Sequence, residues 1–158
     1  MSYERILLAS ALTLALAAPL RGAGEAAKAD MDALRDSIRA DKKALVAASL
    51  KLTDEEAARF WPLYDRYQKE QTSVNDRLVK VIEEYAASFP GVSNEKAMKL
   101  TDDYLAAESD RANLRRTYLA ELAKALPGKK VMRFYQLENK IDAIVRYDLA
   151  AGIPIVED

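Results

Sequence analysis

The sequence predicts an all-α fold, an elongated four-helix antiparallel arrangement in which two long central helices form a hairpin and the outer helices wrap it. Three observations carry this expectation. Apolar residues recur at steps of three and four, the period of one helix face. Five glycines and five prolines are few for 158 residues, and beyond the first 29 all but Pro62 stand where helices should stop. No stretch of useful length alternates strictly between apolar and polar residues, as a half-buried strand does.

The chain opens like an export leader. Met1 to Arg5 is short and polar, Ile6 to Ala18 is an apolar run of 13 residues, and small residues follow between Gly22 and Ala29. That order predicts a secretory signal peptide over residues 1–29, with Gly24, Ala26 and Ala29 as alternative cleavage points. The other reading is an uncleaved anchor, although the run falls short of the about 20 apolar residues a span needs. Residues 30–158 are then a single exported, periplasmic helical domain, long enough to build one core.

Helix one is expected over Ala26–Leu50, with Met31, Leu34, Ile38, Leu45 and Val46 on one side. Helix two opens at Thr53, where Glu56 three residues on completes a capping box. Its stripe includes Phe60, Leu63, Tyr64, Tyr67, Val74 and Leu78, continuing through Val81, Ile82, Tyr85 and Phe89. Pro62 lacks an N–H and is expected to kink the helix, and Pro90-Gly91 to end it. Helix three starts at Ser93 or Asn94 and carries Ala97, Leu100, Tyr104, Ala107, Leu114, Tyr118, Leu122 and Ala125. After Pro127-Gly128, helix four carries Val131, Phe134, Leu137, Ile141, Val145 and Leu149, and Gly152-Ile153-Pro154 is read as its C-cap and stop. An extended tail, Ile155 to Asp158, follows.

Composition excludes several chemistries. The chain has no Cys, so it forms no disulfide and carries no lipid on a thiol, and it has no His. Zinc sites built on Cys and His are thereby excluded, as is histidine-based acid–base catalysis. No loop has the carboxylate rhythm of a calcium or magnesium site. Glu55-Glu56, Glu83-Glu84 and Asp102-Asp103 are adjacent pairs, and neighbours on a helix point about 100° apart rather than at one substrate. The expectation is therefore no enzyme, no metal and no cofactor. From Asp30 onward the formal net charge is −2, which argues against a nucleic-acid partner.

The charge is uneven, and this is where binding residues are sought. From Arg111 to Arg133 seven cations, among them Arg111, Arg115, Arg116, Lys129, Lys130 and Arg133, face only Glu121. The helix dipole accounts for Lys124 late in helix three but not for Lys129 and Lys130 at the start of helix four. Such a span is either a solvated face or a basic surface for acidic proteins, anionic lipid or envelope glycans. Trp61 and Tyr135 fall off the apolar stripes and are candidate apolar contacts for a partner, or are covered by a neighbouring helix.

Leu52-Thr53-Asp54-Glu55-Glu56 at the start of helix two, in an exported helical chain of this size, resembles the Spy/CpxP family of periplasmic proteins, marked by two L-T-x-x-Q motifs. Here Glu56 replaces Gln in the first copy. Leu100-Thr101 marks the second, with Tyr104 at the Gln position. Leu126 to Pro154 is also similar to exported helical proteins of proteobacteria. The family resemblance implies an ATP-independent chaperone or envelope-stress accessory protein. It implies a cradle-shaped homodimer whose basic and apolar surface holds unfolded proteins. The alternative is a structural or regulatory protein that docks one specific envelope partner.

Overall fold

A computed structural model describes residues 40–156 of the chain. The leader, the first part of predicted helix one (residues 26–39) and the last two residues lie outside the described residues. Among the described residues there are four helices and no strands, so the fold is all-α. Backbone contacts group the chain into two units, 1–48 and 49–158. In the first, residues 40–48 are helical, with Val46 buried and Leu45 exposed.

This helix, α1, runs over 40–50. Lys51 then leaves it with φ 46°, in the left-handed region where a Cβ crowds the backbone and glycine is the usual occupant. The Lys130 ammonium donates to the Lys51 carbonyl at 2.8 Å, and Arg133 Nη1 donates to the Ser49 carbonyl at 3.2 Å. Both cations thus sit against the carbonyl-rich end of a helix, where the dipole favours positive charge.

Helix α2 spans Asp54–Ala86. Its start is the capping box read from the sequence. The Thr53 N–H donates to Glu56 Oε2 at 2.8 Å, and the Glu56 N–H donates to Thr53 Oγ1 at 3.3 Å. The helix continues through Pro62 without ending. Helix α3 spans Asn94–Ala125 with Ser93 as N-cap, its hydroxyl accepting from the Lys96 N–H. Helix α4 spans Gly128–Gly152. Its ending differs from the expected glycine cap. No described glycine has positive φ, and the chain leaves through an extended Ile153. A residue before proline favours that extended region, so Pro154 dictates the exit.

Cross-helix contacts give the directions. Arg59 pairs with the Ala125 carbonyl, Arg66 with Glu121, Glu70 with Tyr118, and Arg77 with Asp110. Numbers rise on α2 as they fall on α3, so the two long helices are antiparallel. Helix α4 runs antiparallel to α3 (Arg115 with Asp142, Glu108 with Arg146) and parallel to α2. The α2 and α4 backbones stay apart, so large side chains must bridge them. Phe134 does this. Its ring lies 5.6 Å from Phe60, 6.2 Å from Tyr64 and 5.6 Å from Tyr67, edge to face in each case. Tyr67 in turn meets Tyr118 of α3 at 5.3 Å. Leu50, Leu122, Ala125, Leu126 and Val131 complete this buried apolar end.

Farther along, three of the buried positions are polar, Gln71, Arg111 and Glu138, one each from α2, α3 and α4. Beyond them the expected apolar stripe opens. Tyr104, Val145 and Leu149, read as core from periodicity, are 45%, 51% and 44% exposed. Periodicity selects a face but not how far a neighbour covers it, and α4 stands off from α2 along this stretch. The end is tied back where the Tyr85 hydroxyl donates to the Pro154 carbonyl at 2.9 Å.

Phe134→Ala removes the ring that joins α4 to α2 and is expected to cost about 3–5 kcal/mol, read as a lower midpoint in urea unfolding. Lys51→Gly relieves the left-handed strain while adding chain entropy. A net gain of about 0.5–1 kcal/mol is expected in the same measurement.

Candidate functional site

A groove runs along the seam between α3 and α4. Near the Pro127–Gly128 turn it is a recess of about 550 Å³ with Leu119 and Ala123 on one wall and Val131, Met132 and Tyr135 on the other. Toward the opposite end it narrows to a recess of about 320 Å³ edged by Glu108, Arg111, Arg115, Asp142 and Arg146. Asn139 lines both, so the two recesses adjoin along the seam. Helical spacing puts these residues together. Positions 108, 112, 115, 119 and 123 recur at three- and four-residue steps on α3, as do 128, 132, 135, 139, 142 and 146 on α4.

The sequence-predicted cations divide into two groups. Arg111, Arg115, Lys130 and Arg133 are engaged within the fold. Arg111 Nη2 donates to Asn75 Oδ1 at 3.0 Å, and its guanidinium lies 3.8 Å from Asp142 and 3.9 Å from Glu108. Burial, followed by repulsion from Arg146, lowers its pKa. Arg115 makes a close ion pair with Asp142. Lys130 bridges Glu56 Oε2 at 2.5 Å and the Lys51 carbonyl, which explains a lysine in the unfavourable first turn of α4. Arg116 and Lys129 are exposed and make no ion pair among the described residues. By register Arg116 is one turn from Ala112 and Leu119, and Lys129 one turn from Met132, so both flank the groove.

The two aromatic candidates are both half-buried. Tyr135 stands in the groove wall, with its ring 5.3 Å from Phe134 and its hydroxyl donating to the Arg115 carbonyl at 2.7 Å. Burial pushes that hydroxyl up to about 12, so it stays a donor at any ordinary pH. Trp61 is elsewhere, on α2, edge-on to Phe60 at 5.0 Å and Tyr64 at 5.4 Å. The structure therefore does not bring Trp61 and Tyr135 to one surface patch.

Sequence reasoning missed Glu108, Asp142 and Arg146, along with Leu119 and Met132. A signal was present, because 138, 142 and 146 follow Phe134 at four-residue steps and carry charge where the apolar stripe should continue. Among the described residues no Asp and Glu cluster is placed to hold a metal ion. No described helix is long and apolar enough to cross a membrane. Comparison with family models, with curated proteins and with solved structures finds no match to this chain.

Glu56 supplies a pH test of the Lys130 bridge. The Lys130 ammonium, with the Thr53 N–H next, holds this carboxyl below its ordinary range. A lowered folded-state pKa adds stability above the unfolded value of about 4.3 that is lost as pH falls through the lower folded value. Glu56→Gln keeps a capping-box acceptor and removes only the charge. It is expected to melt below the parent at about pH 7 and together with it at about pH 2–3, as followed by circular dichroism.

Proposed function

We propose that this chain is an exported binding protein that holds apolar segments of partly unfolded or envelope proteins, without nucleotide and without a catalytic step. The observation that carries this is the α3–α4 seam, where an exposed apolar recess adjoins a charged, arginine-rich one. Leu119 and Met132 are exposed there although both are apolar. An apolar patch rimmed by charge is the usual mark of a protein-interaction surface. Arg116 and Lys129 beside it raise the encounter rate with acidic chains in a salt-dependent way. The leader-like opening supports export to the periplasm, and the capping motif at Leu52–Glu56 supports a chaperone or stress-accessory role of the Spy/CpxP kind.

The test is light scattering of an aggregating model protein with the chain added in the absence of nucleotide. Suppression near equimolar ratio, weakened by salt, is expected. Leu119→Glu combined with Met132→Glu alters exposed positions only and is expected to cut suppression about tenfold, the loss of about 1.5 kcal/mol of apolar contact. A double variant with an unchanged helical spectrum and parental suppression would refute the groove as the site. No suppression by the parent at several-fold excess would instead favour docking to one specific envelope partner, identified by capture from envelope extract.

A further inference from the structure

A second apolar stripe runs along α3, outside the core. Its large exposed apolar residues are Met98, Tyr104, Leu105 and Leu119, and three of them fall into one seven-residue register. Met98, Leu105 and Leu119 are 71%, 57% and 47% exposed, and Ala112, also exposed, takes the remaining place in that register. A seven-residue apolar repeat is the spacing that lets a second helix lie along the first. The buried residues of α3, among them Leu100, Ala107, Tyr118 and Leu122, occupy a different face.

The charges on this outer face are sorted along it. Asp102 follows Met98 by four residues, and Arg116 follows Ala112 by four, which puts both on the stripe. Glu95 lies near its start and Lys124 near its end. All four are exposed and make no ion pair among the described residues. The face is thus acidic toward the start of α3, small and neutral around Ser109, and basic toward the end.

We propose that two copies of this chain pair antiparallel along this face, about a two-fold axis at Ser109. In that register Asp102 meets Arg116 of the other copy, and Glu95 meets Lys124. Met98 meets Leu119, and Leu105 meets Ala112, a large side chain against a small one that lets the helices approach closely. Each contact occurs twice. A parallel pairing would set Asp102 on Asp102 and Arg116 on Arg116, so the charges select the antiparallel one. The occupant is a second copy because the stripe is its own complement when reversed, as a two-fold contact requires. A foreign helix would demand no such symmetry from the residues of this chain. Leu119 also walls the recess near the Pro127–Gly128 turn, so pairing and client capture compete for it. The pairing itself does not rest on the binding role proposed above.

The experiment is sedimentation equilibrium of the chain and of two variants, Asp102→Lys and Arg116→Asp, each alone and then mixed. Residues 102 and 116 are about 21 Å apart on one helix, so they cannot compensate within a single chain. The parent is expected to dimerise, more weakly as salt rises. Each variant alone replaces two ion pairs with two like-charge contacts and is expected to associate about tenfold more weakly. The mixture restores opposite charges across both contacts and is expected to recover parental association. Leu105→Glu is expected to weaken association about tenfold at any salt. All three positions are exposed, and circular dichroism confirms that each variant keeps its helices. A parent that stays monomeric, association that none of the three substitutions weakens, or a mixture no tighter than its components overturns the pairing. Aggregation suppression is read on the same samples. A monomeric parent that suppresses aggregation removes the pairing alone, and a dimeric parent that does not suppress it removes the binding role alone.

Discussion

Phe134 is the aromatic link on which the seating of α4 against the α2–α3 hairpin depends. The α2 and α4 backbones do not approach each other, so α4 is held there by what its side chains reach, and Phe134 reaches three aromatic rings of α2. Helical periodicity then places the rest of α4 without further choice. Glu138 comes one turn on, beside Gln68, and Asp142 two turns on, beside Arg115. Arg146 follows at the third turn, against Glu108. Tyr135, the next residue in sequence, is turned about 100° and becomes groove wall. Packing at the buried end thus sets the register of charges about 18 Å away along α4.

A buried polar layer is an unusual continuation of an aromatic core. Desolvating Arg111 and Glu138 opposes folding, and their attraction to partners offsets that cost only where geometry is good. Arg111 is satisfied on one side by Asn75 and left with an open Nε–H on the other. Apolar residues at these positions would pack more simply. What the polar layer adds is direction, since complementary charges pair in one register of α3 and α4 and clash in others.

Much of the fold was legible from local chemistry. Thr53 and Glu56 announce α2, Ser93 announces α3, and the stripe Phe60–Tyr64–Tyr67–Val74 is buried as its spacing requires. Gln71, Arg111 and Glu138 occupy stripe positions too, yet a polar residue there reads as a break, because burial of charge depends on a partner in another helix. The same limit governs the site. The run of cations from Arg111 to Arg133 was visible, but its division was not. Which cations close on Asp142, on Glu56 or on the end of α1, and which stay in water beside the groove, follows from cross-helix register. A single helix period carries no such information.

Trp61 gives the molecule a built-in optical probe. It is the only tryptophan in the chain, and it stands edge-on to Phe60 and Tyr64, two of the rings against which Phe134 packs. Tyrosines 64 and 67 absorb close by and pass their excitation to it, while the groove wall contains no indole at all. Emission from this protein therefore watches the seating of α4 on α2 and is blind in the first instance to occupancy between α3 and α4. A spectral shift on adding a ligand would mean that the seat of the helix had moved.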